Sequence, residues 1–251
     1  MVKVVAIHSY RGGTGKSNTT ANLAAVTADA GYRVAVIDTD LQSPGIHVLF
    51  GLEPEAMKGT LNGYLWGDCS IVEAAYNVTP EAVKQVSGEI FLIPSSSEIR
   101  DITRILQDGY DVRLLRDGLR DLVKEFDLDY IFIDTHPGLH EETLLAIAVS
   151  NVLVIVLRPD KQDFQGTAVM ADLARKLRVP KIMMVVNRIL PSADFETLSA
   201  QVSENYEAPV VGLFPNCDEM MELASGGLFY FCYPDHSLSK RFHDVAKQVM
   251  L

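Results

Sequence analysis

Tyr10-Arg11-Gly12-Gly13-Thr14-Gly15-Lys16-Ser17 puts three glycines, a lysine and a hydroxyl between the apolar run Lys3–Ser9 and the helically spaced stretch Asn18–Ala30. A strand, a glycine-rich turn and then Lys-Ser at a helix start is the layout of a phosphate-binding P-loop. Each residue type has a task there. Gly12, Gly13 and Gly15 let backbone N–H groups turn inward around phosphate oxygens, and Thr14 and Asn18 complete the nucleotide-binding stretch. The helix N-terminus at Lys16 adds unpaired donors and partial positive charge. The Lys16 ammonium suits β- and γ-phosphates, and the Ser17 hydroxyl suits Mg²⁺. The strict pattern has glycine where this chain has Tyr10.

Such a site also needs carboxylates at the ends of neighbouring strands. Val34-Ala35-Val36-Ile37 ends in Asp38-Thr39-Asp40, and Tyr130-Ile131-Phe132-Ile133 ends in Asp134-Thr135-His136-Pro137-Gly138. An aspartate that follows four apolar strand residues lies at the carboxyl edge of a sheet, where open α/β folds bind ligands. Asp134 reads as the carboxylate that holds Mg²⁺ directly or through water. Asp38 and Asp40 are placed to support the metal's water shell and to orient an attacking water. His136, His140, Glu141 and Glu142 imitate metal-ligand spacing, but structural zinc wants four ligands and no cysteine is near. A turn at Gly138 and a helix start at Glu141 explain them.

These groups need a frame. Apolar, β-branched runs recur at Val4–Ile7, Val34–Ile37, Ile90–Ile93, Tyr130–Ile133, Val152–Val156, Ile182–Val186 and Val210–Leu213. Helical spacing fills the gaps at Lys16–Ala30, Asp111–Phe126, Glu141–Ser150, Gln165–Leu177 and Leu238–Val249. The alternation predicts an α/β fold, a doubly wound and mostly parallel sheet sandwiched by helices. Leu52–Gly88 reads as helices and loops inserted between strands. Leu228–Tyr233 reads as a buried edge strand, since an aromatic nucleic-acid platform needs interleaved basic residues. No repeat, low-complexity tract or linker divides the chain, so residues 1–251 read as one domain.

Composition agrees with a folded, water-soluble chain. Of 251 residues, 48% are hydrophobic and 22% charged, which excludes a disordered or collagen-like protein. No apolar run reaches the length of a membrane span, and the start lacks a signal peptide's pattern. Cys69, Cys217 and Cys232 form no CxxC pair, so a reducing cytoplasm is the expected compartment.

Arg-Gly-Gly-Thr-Gly-Lys-Ser at 11–17, Val-Ile-Asp-Thr-Asp at 36–40 and Ile-Asp-Thr-His-Pro-Gly at 133–138 together resemble the ParA/MinD family of deviant-Walker P-loop ATPases. Val-Val-Asn-Arg at 185–188 and Phe-Pro-Asn at 214–216 extend the likeness to most of the chain. The resemblance implies a homodimer that sandwiches two Mg-ATP molecules, binds a surface, and is released by partner-stimulated hydrolysis that is slow alone. It also implies that Asn187, with Arg188 beside it, contacts adenine, that backbone near Pro215 lines the base pocket, and that Asp40 positions the attacking water. Asp38 and Asp134 would stand beside Mg²⁺. The family's second P-loop lysine, which crosses to the partner subunit, falls at Arg11. Arginine keeps the charge but is bulkier and forked. It either reaches across or caps its own loop, and Lys161 is another cation that could cross.

The family has two main destinations. A membrane-targeting helix would be basic and amphipathic, whereas the last helix here puts Leu238, Phe242, Val245, Ala246 and Val249 on one core-facing stripe. Membrane anchoring by that route is disfavoured. The net charge of −11 repels nucleic acid unless cations cluster. They do in sequence: Arg175, Lys176, Arg178, Lys181 and Arg188 oppose only Asp172 in 165–188, and Lys240, Arg241 and Lys247 oppose only Asp244 in 238–251. The expectation is non-specific DNA binding by the ATP-bound dimer, on the nucleoid, with a cargo adaptor as activator; a short N-terminus suits a small, orphan cargo-positioning type. Alternatives are a membrane-surface positioning ATPase, a cofactor or metal-cluster assembly ATPase, and a nucleotide-gated module that does not hydrolyse.

Overall fold

A computed structural model describes residues 2–251. Eight strands form one sheet: β1 (Lys3–His8), β2 (Arg33–Asp38), β3 (Tyr76–Asn77), β4 (Glu89–Ile93), β5 (Tyr130–Asp134), β6 (Val152–Leu157), β7 (Lys181–Ile189) and β8 (Val210–Pro215). Their order is β3-β4-β2-β5-β1-β6-β7-β8. All pairs are parallel except β3 with β4, so the expected doubly wound sheet is present, with one short antiparallel edge strand inside the stretch expected to be helices and loops.

The strands are apolar on both faces because helices cover both. Val5 and Ile7 of β1 face one layer with Leu23 of the Lys16–Asp29 helix and Phe242 and Val245 of the Ser237–Met250 helix. Val4 faces the other layer with Leu115 and Leu119 of the Arg113–Phe126 helix, and Ala6 packs there with Met170 and Ala174 of the Lys161–Lys176 helix. Alternation along one strand thus feeds two cores.

Two long helices, and the short Ile46–Leu49 and Asp218–Leu223, escaped the periodicity reading. Ile99–Asp108 spaces Ile99, Ile102, Ile105 and Leu106 helically but buries only Ile105 and leaves Ile99 and Leu106 exposed, and Phe195–Tyr206 buries only Val202 and Tyr206. The Leu228–Tyr233 expectation is corrected: Phe229–Cys232 is a helical turn, not an edge strand. Phe229 is fully buried against the Lys16–Asp29 layer. Burial alone fits either structure for so short an aromatic run.

Candidate nucleotide site

Parallel pairing sets the site. β1 lies between β5 and β6, and Asp38 at the end of β2 is the register partner of Asp134 at the end of β5. The turn after β1 opens beside both. Gly13 and Gly15 have φ of 76° and 91°, left-handed values that strain any residue with a Cβ. At Gly15 a Cβ would also stand 2.2 Å from Asn187 Nδ2. That amide donates to Thr14 O at 2.7 Å, and its Oδ1 accepts the Arg188 N–H at 2.8 Å, so Asn187 ties β7 to the turn. Arg188 itself holds a φ of 55°. Asn18, Asn187, Arg188, Pro215 and Cys217 line a cleft bordered by Gly15 and Phe214. The residues expected around a base are therefore together, next to the phosphate turn.

Asp134 is the hub of the phosphate end. Its Oδ1 accepts from Lys16 Nζ at 2.8 Å and from Thr20 Oγ1 at 2.8 Å, and its Oδ2 accepts from Ser17 Oγ at 2.6 Å. Lys16, Asp134 and Thr20 are all buried. Thr20 was missed in the sequence; it lies one turn beyond Lys16 on the helix, and that spacing was the available signal.

Asp38 is fully buried and its carboxyl is pushed up to about 7, first by burial and next by the Asp134 charge. It accepts the N–H groups of Asp40 (3.0 Å) and Gly45 (3.3 Å), so it fastens the loop that carries Asp40. Asp40 is also raised, chiefly by burial, against the opposing charges of His136 and Lys16. Its Oδ1 accepts the Ser43 N–H and lies 3.6 Å from His136 Nε2. Two buried carboxylates held at adjacent strand ends with one hydroxyl between Asp134 and solvent suit a hard divalent cation with oxygen ligands and retained waters. Ser17, Asp134 and Asp38 are the residues that fit Mg²⁺.

Ionised His8 is excluded from the same corner. Thr135 Oγ1 donates to Ile7 O at 3.0 Å and therefore accepts from His8 Nδ1 at 2.7 Å. Complete burial, then Lys16, pushes His8 down to about 3, and its Nε2 is a bare, buried acceptor.

Arg11 lies against its own chain. Its guanidinium is 3.6 Å from Asp160 and 3.5 Å from Asp163, at the start of the Lys161–Lys176 helix, where Arg158 also pairs with both. Arg11 remains 40% exposed at the mouth of the turn, and Lys161 is exposed nearby. Tyr10 fills the space above Gly166 of that helix, where a Cβ would meet its ring at 1.9 Å.

The basic runs separate. Arg175 pairs with Asp172 and donates to Tyr206 O, Lys181 donates to Gln248 O at 2.8 Å, and Arg241 donates to Leu213 O at 2.8 Å. Arg188 borders the base cleft. Lys176, Arg178, Lys240 and Lys247 are exposed and have no side-chain ion pair. Cys217, Glu219 and His236 bring ligand atoms within 4.8 Å of one another. His236 Nδ1 accepts the Leu238 N–H at 3.1 Å, so its proton sits on Nε2, 3.7 Å from Glu219 Oε2, while Cys217 Sγ donates to that same oxygen at 3.3 Å. Among the described residues no helix is long and apolar enough to cross a membrane.

A family model described as an AAA domain matches residues 2–183. An uncharacterized ATP-binding protein of Methanocaldococcus jannaschii is 28% identical over all of this chain and 88% of its own length. The septum site-determining protein MinD of Helicobacter pylori is 27% identical over 90% of this chain and 83% of its own. The MinD structure from Pyrococcus horikoshii, complexed with Mg-ADP, superposes with a TM-score of 0.83 at 21% identity, covering 99% of this chain and 96% of that one.

Proposed function

Because this chain belongs to that AAA-domain family and is a P-loop ATPase of the ParA/MinD type, we propose that it is a Mg-ATP-driven dimerising switch that positions an intracellular cargo. Residues 1–251 act as one unit in this reading, in the cytoplasm. The observation that carries it is the cluster of Lys16, Ser17, Asp38, Asp40 and Asp134 at the carboxyl edge beside the left-handed glycine turn. Bound Mg-ATP supplies a polarised γ-phosphate and a charge that relieves the facing carboxylates.

The chain's own groups then have separate work. Gly12, Gly13, Thr14, Gly15 and Asn18 bind through the turn, and Asn187, Arg188 and Pro215 border the base. Lys16 is withdrawn from Asp134 to face phosphate oxygens. Ser17, Asp38 and Asp134 hold the metal and its waters, and Asp40 orients the attacking water. Arg11 leaves Asp160 and Asp163 to reach the partner subunit, its exposure supporting that route. A state that persists until a cargo adaptor stimulates hydrolysis requires slow turnover alone.

For the surface, the reading is non-specific DNA on the nucleoid. It is supported by Lys176, Arg178, Lys240 and Lys247, four exposed cations of the two runs that stand away from the base cleft. Dimerisation doubles them, which turns weak phosphate contacts into useful avidity. Anisotropy of a labelled random-sequence duplex in ATP, ADP and no nucleotide, at two salt concentrations, is the test. Binding only in ATP, weakened by salt, is expected. Absence of binding beside intact ATP-dependent dimerisation would sink the DNA surface and turn attention to membranes or proteins.

A further inference from the structure

Asp134 is held by three donors, and the proposed cycle takes two of them away. Lys16 Nζ at 2.8 Å and Ser17 Oγ at 2.6 Å are the groups that turn to phosphate and metal. The third, Thr20 Oγ1, lies 2.8 Å from Asp134 Oδ1 and has no such duty. Thr20 is fully buried on the Lys16–Asp29 helix, one turn past Lys16, with no surface open to a ligand.

Its hydroxyl hydrogen has two acceptors in reach. Thr19 and Thr27 of the same helix donate to the carbonyls four residues back, Gly15 O and Leu23 O, and to nothing else. Thr20 has the equivalent choice in Lys16 O at 3.0 Å, but an α-helix already gives that carbonyl the Thr20 N–H. Asp134 Oδ1 is the nearer acceptor and, as the partner of Lys16, the stronger one. The backbone of Asp134 is fixed separately. Thr39 gives both its N–H (2.9 Å) and its Oγ1 (3.0 Å) to Asp134 O, and β5 is paired on both sides, with β1 and β2. The freedom left to Asp134 is the turn of its carboxyl group.

We propose that Thr20 is a positioning residue for the metal: once Lys16 and Ser17 have left Asp134, the Thr20 hydroxyl keeps Oδ1 toward the helix and leaves Oδ2, on the Ser17 side, for the divalent cation or its water. This deepens the proposed ATPase reading and rests on the Mg²⁺ assignment within it. The role needs a hydroxyl at a fixed point in a packed interior, so serine can supply it and the isosteric valine cannot.

The test separates the metal from the nucleotide. ADP affinity is measured by calorimetry in chelator, and Mg²⁺ affinity by titrating the cation at saturating ADP. Thr20→Val should bind ADP in chelator within about twofold of wild type yet lose about tenfold in Mg²⁺ affinity, and Thr20→Ser should recover most of that loss. Thr20→Ala, smaller and equally without a hydroxyl, should behave as the valine variant does, which guards against a misfolded Thr20→Val. Unchanged Mg²⁺ affinity in both variants that lack the hydroxyl, a loss of ADP affinity in chelator as large as the loss for Mg²⁺, or no recovery by serine would overturn the proposal. A wild-type protein that binds no Mg²⁺ beside ADP would overturn it as well. A Mg²⁺ affinity that depends on the Thr20 hydroxyl, in a protein that stays monomeric in Mg-ATP, would instead sink the dimerising switch and leave the role of Thr20 intact.

Discussion

The two edges of the sheet treat charge in opposite ways. At the amino edge three cations end on carbonyls that close the architecture: Lys3 on Val249 O and Met250 O, Lys181 on Gln248 O, Arg175 on Tyr206 O. These are helix C-termini, where cations satisfy the last carbonyls and the helix dipole. At the carboxyl edge charges are buried against one another instead. Asp38 faces Asp134, Lys16 leans on Asp134, and His8 is held neutral with an unpaired nitrogen. One edge is finished by its own chain, and the other is complete only with an anion and a cation supplied from outside. Burial without full satisfaction is the mark of a site, and charge alone is not.

Substitutions that remove one charge from each edge put that contrast at risk. Lys16→Ala takes the phosphate-facing cation and leaves Asp134 buried with hydroxyl donors only; ATP turnover should fall by at least about 100-fold, measured by phosphate release. Near-normal turnover would reduce the carboxyl edge to mere structure. A smaller effect belongs to His8. Its folded value of about 3 lies below the ordinary 6.5, so its contribution is intact above pH 6.5 and is lost as pH falls toward the folded value. Between pH 6.5 and pH 5 the protein should lose about 2 kcal/mol of stability from this group. Denaturant melts at the two pH values would show it, and His8→Asn should flatten the slope. At the amino edge, Lys181→Ala should cost less than about 1 kcal/mol and leave ATP affinity unchanged. A change in nucleotide affinity there would break the division between the edges.

Much of this division was legible in the chain. The apolar β-runs located seven of the eight strands, because strands buried on both faces have little polar interruption. Asp38 and Asp134 could be placed at one edge because each ends such a run. The rest depended on pairing across the fold. Nothing in the sequence says that Arg11 meets Asp160 and Asp163 or that His136 meets Asp40, and only the one-turn spacing from Lys16 hints that Thr20 shares Asp134 with Ser17. His136 looked like turn composition because its partner is distant in sequence. The basic runs misled in the converse way: cations adjacent in sequence were divided between the amino edge and the base cleft, and Arg175, Lys181 and Arg241 serve backbone carbonyls. Phe229–Cys232 escaped because a four-residue aromatic run has no period to read.

The central claim is that the carboxyl edge is completed by ATP and then joins two subunits. The direct measurement is solution mass by light scattering of Asp40→Ala protein, in which the proposed role of Asp40 predicts loss of hydrolysis, with Mg-ATP, with Mg-ADP and without nucleotide. The account predicts a dimer in Mg-ATP and a monomer in the other two conditions. The same mass in all three, with ATP binding verified, would contradict it.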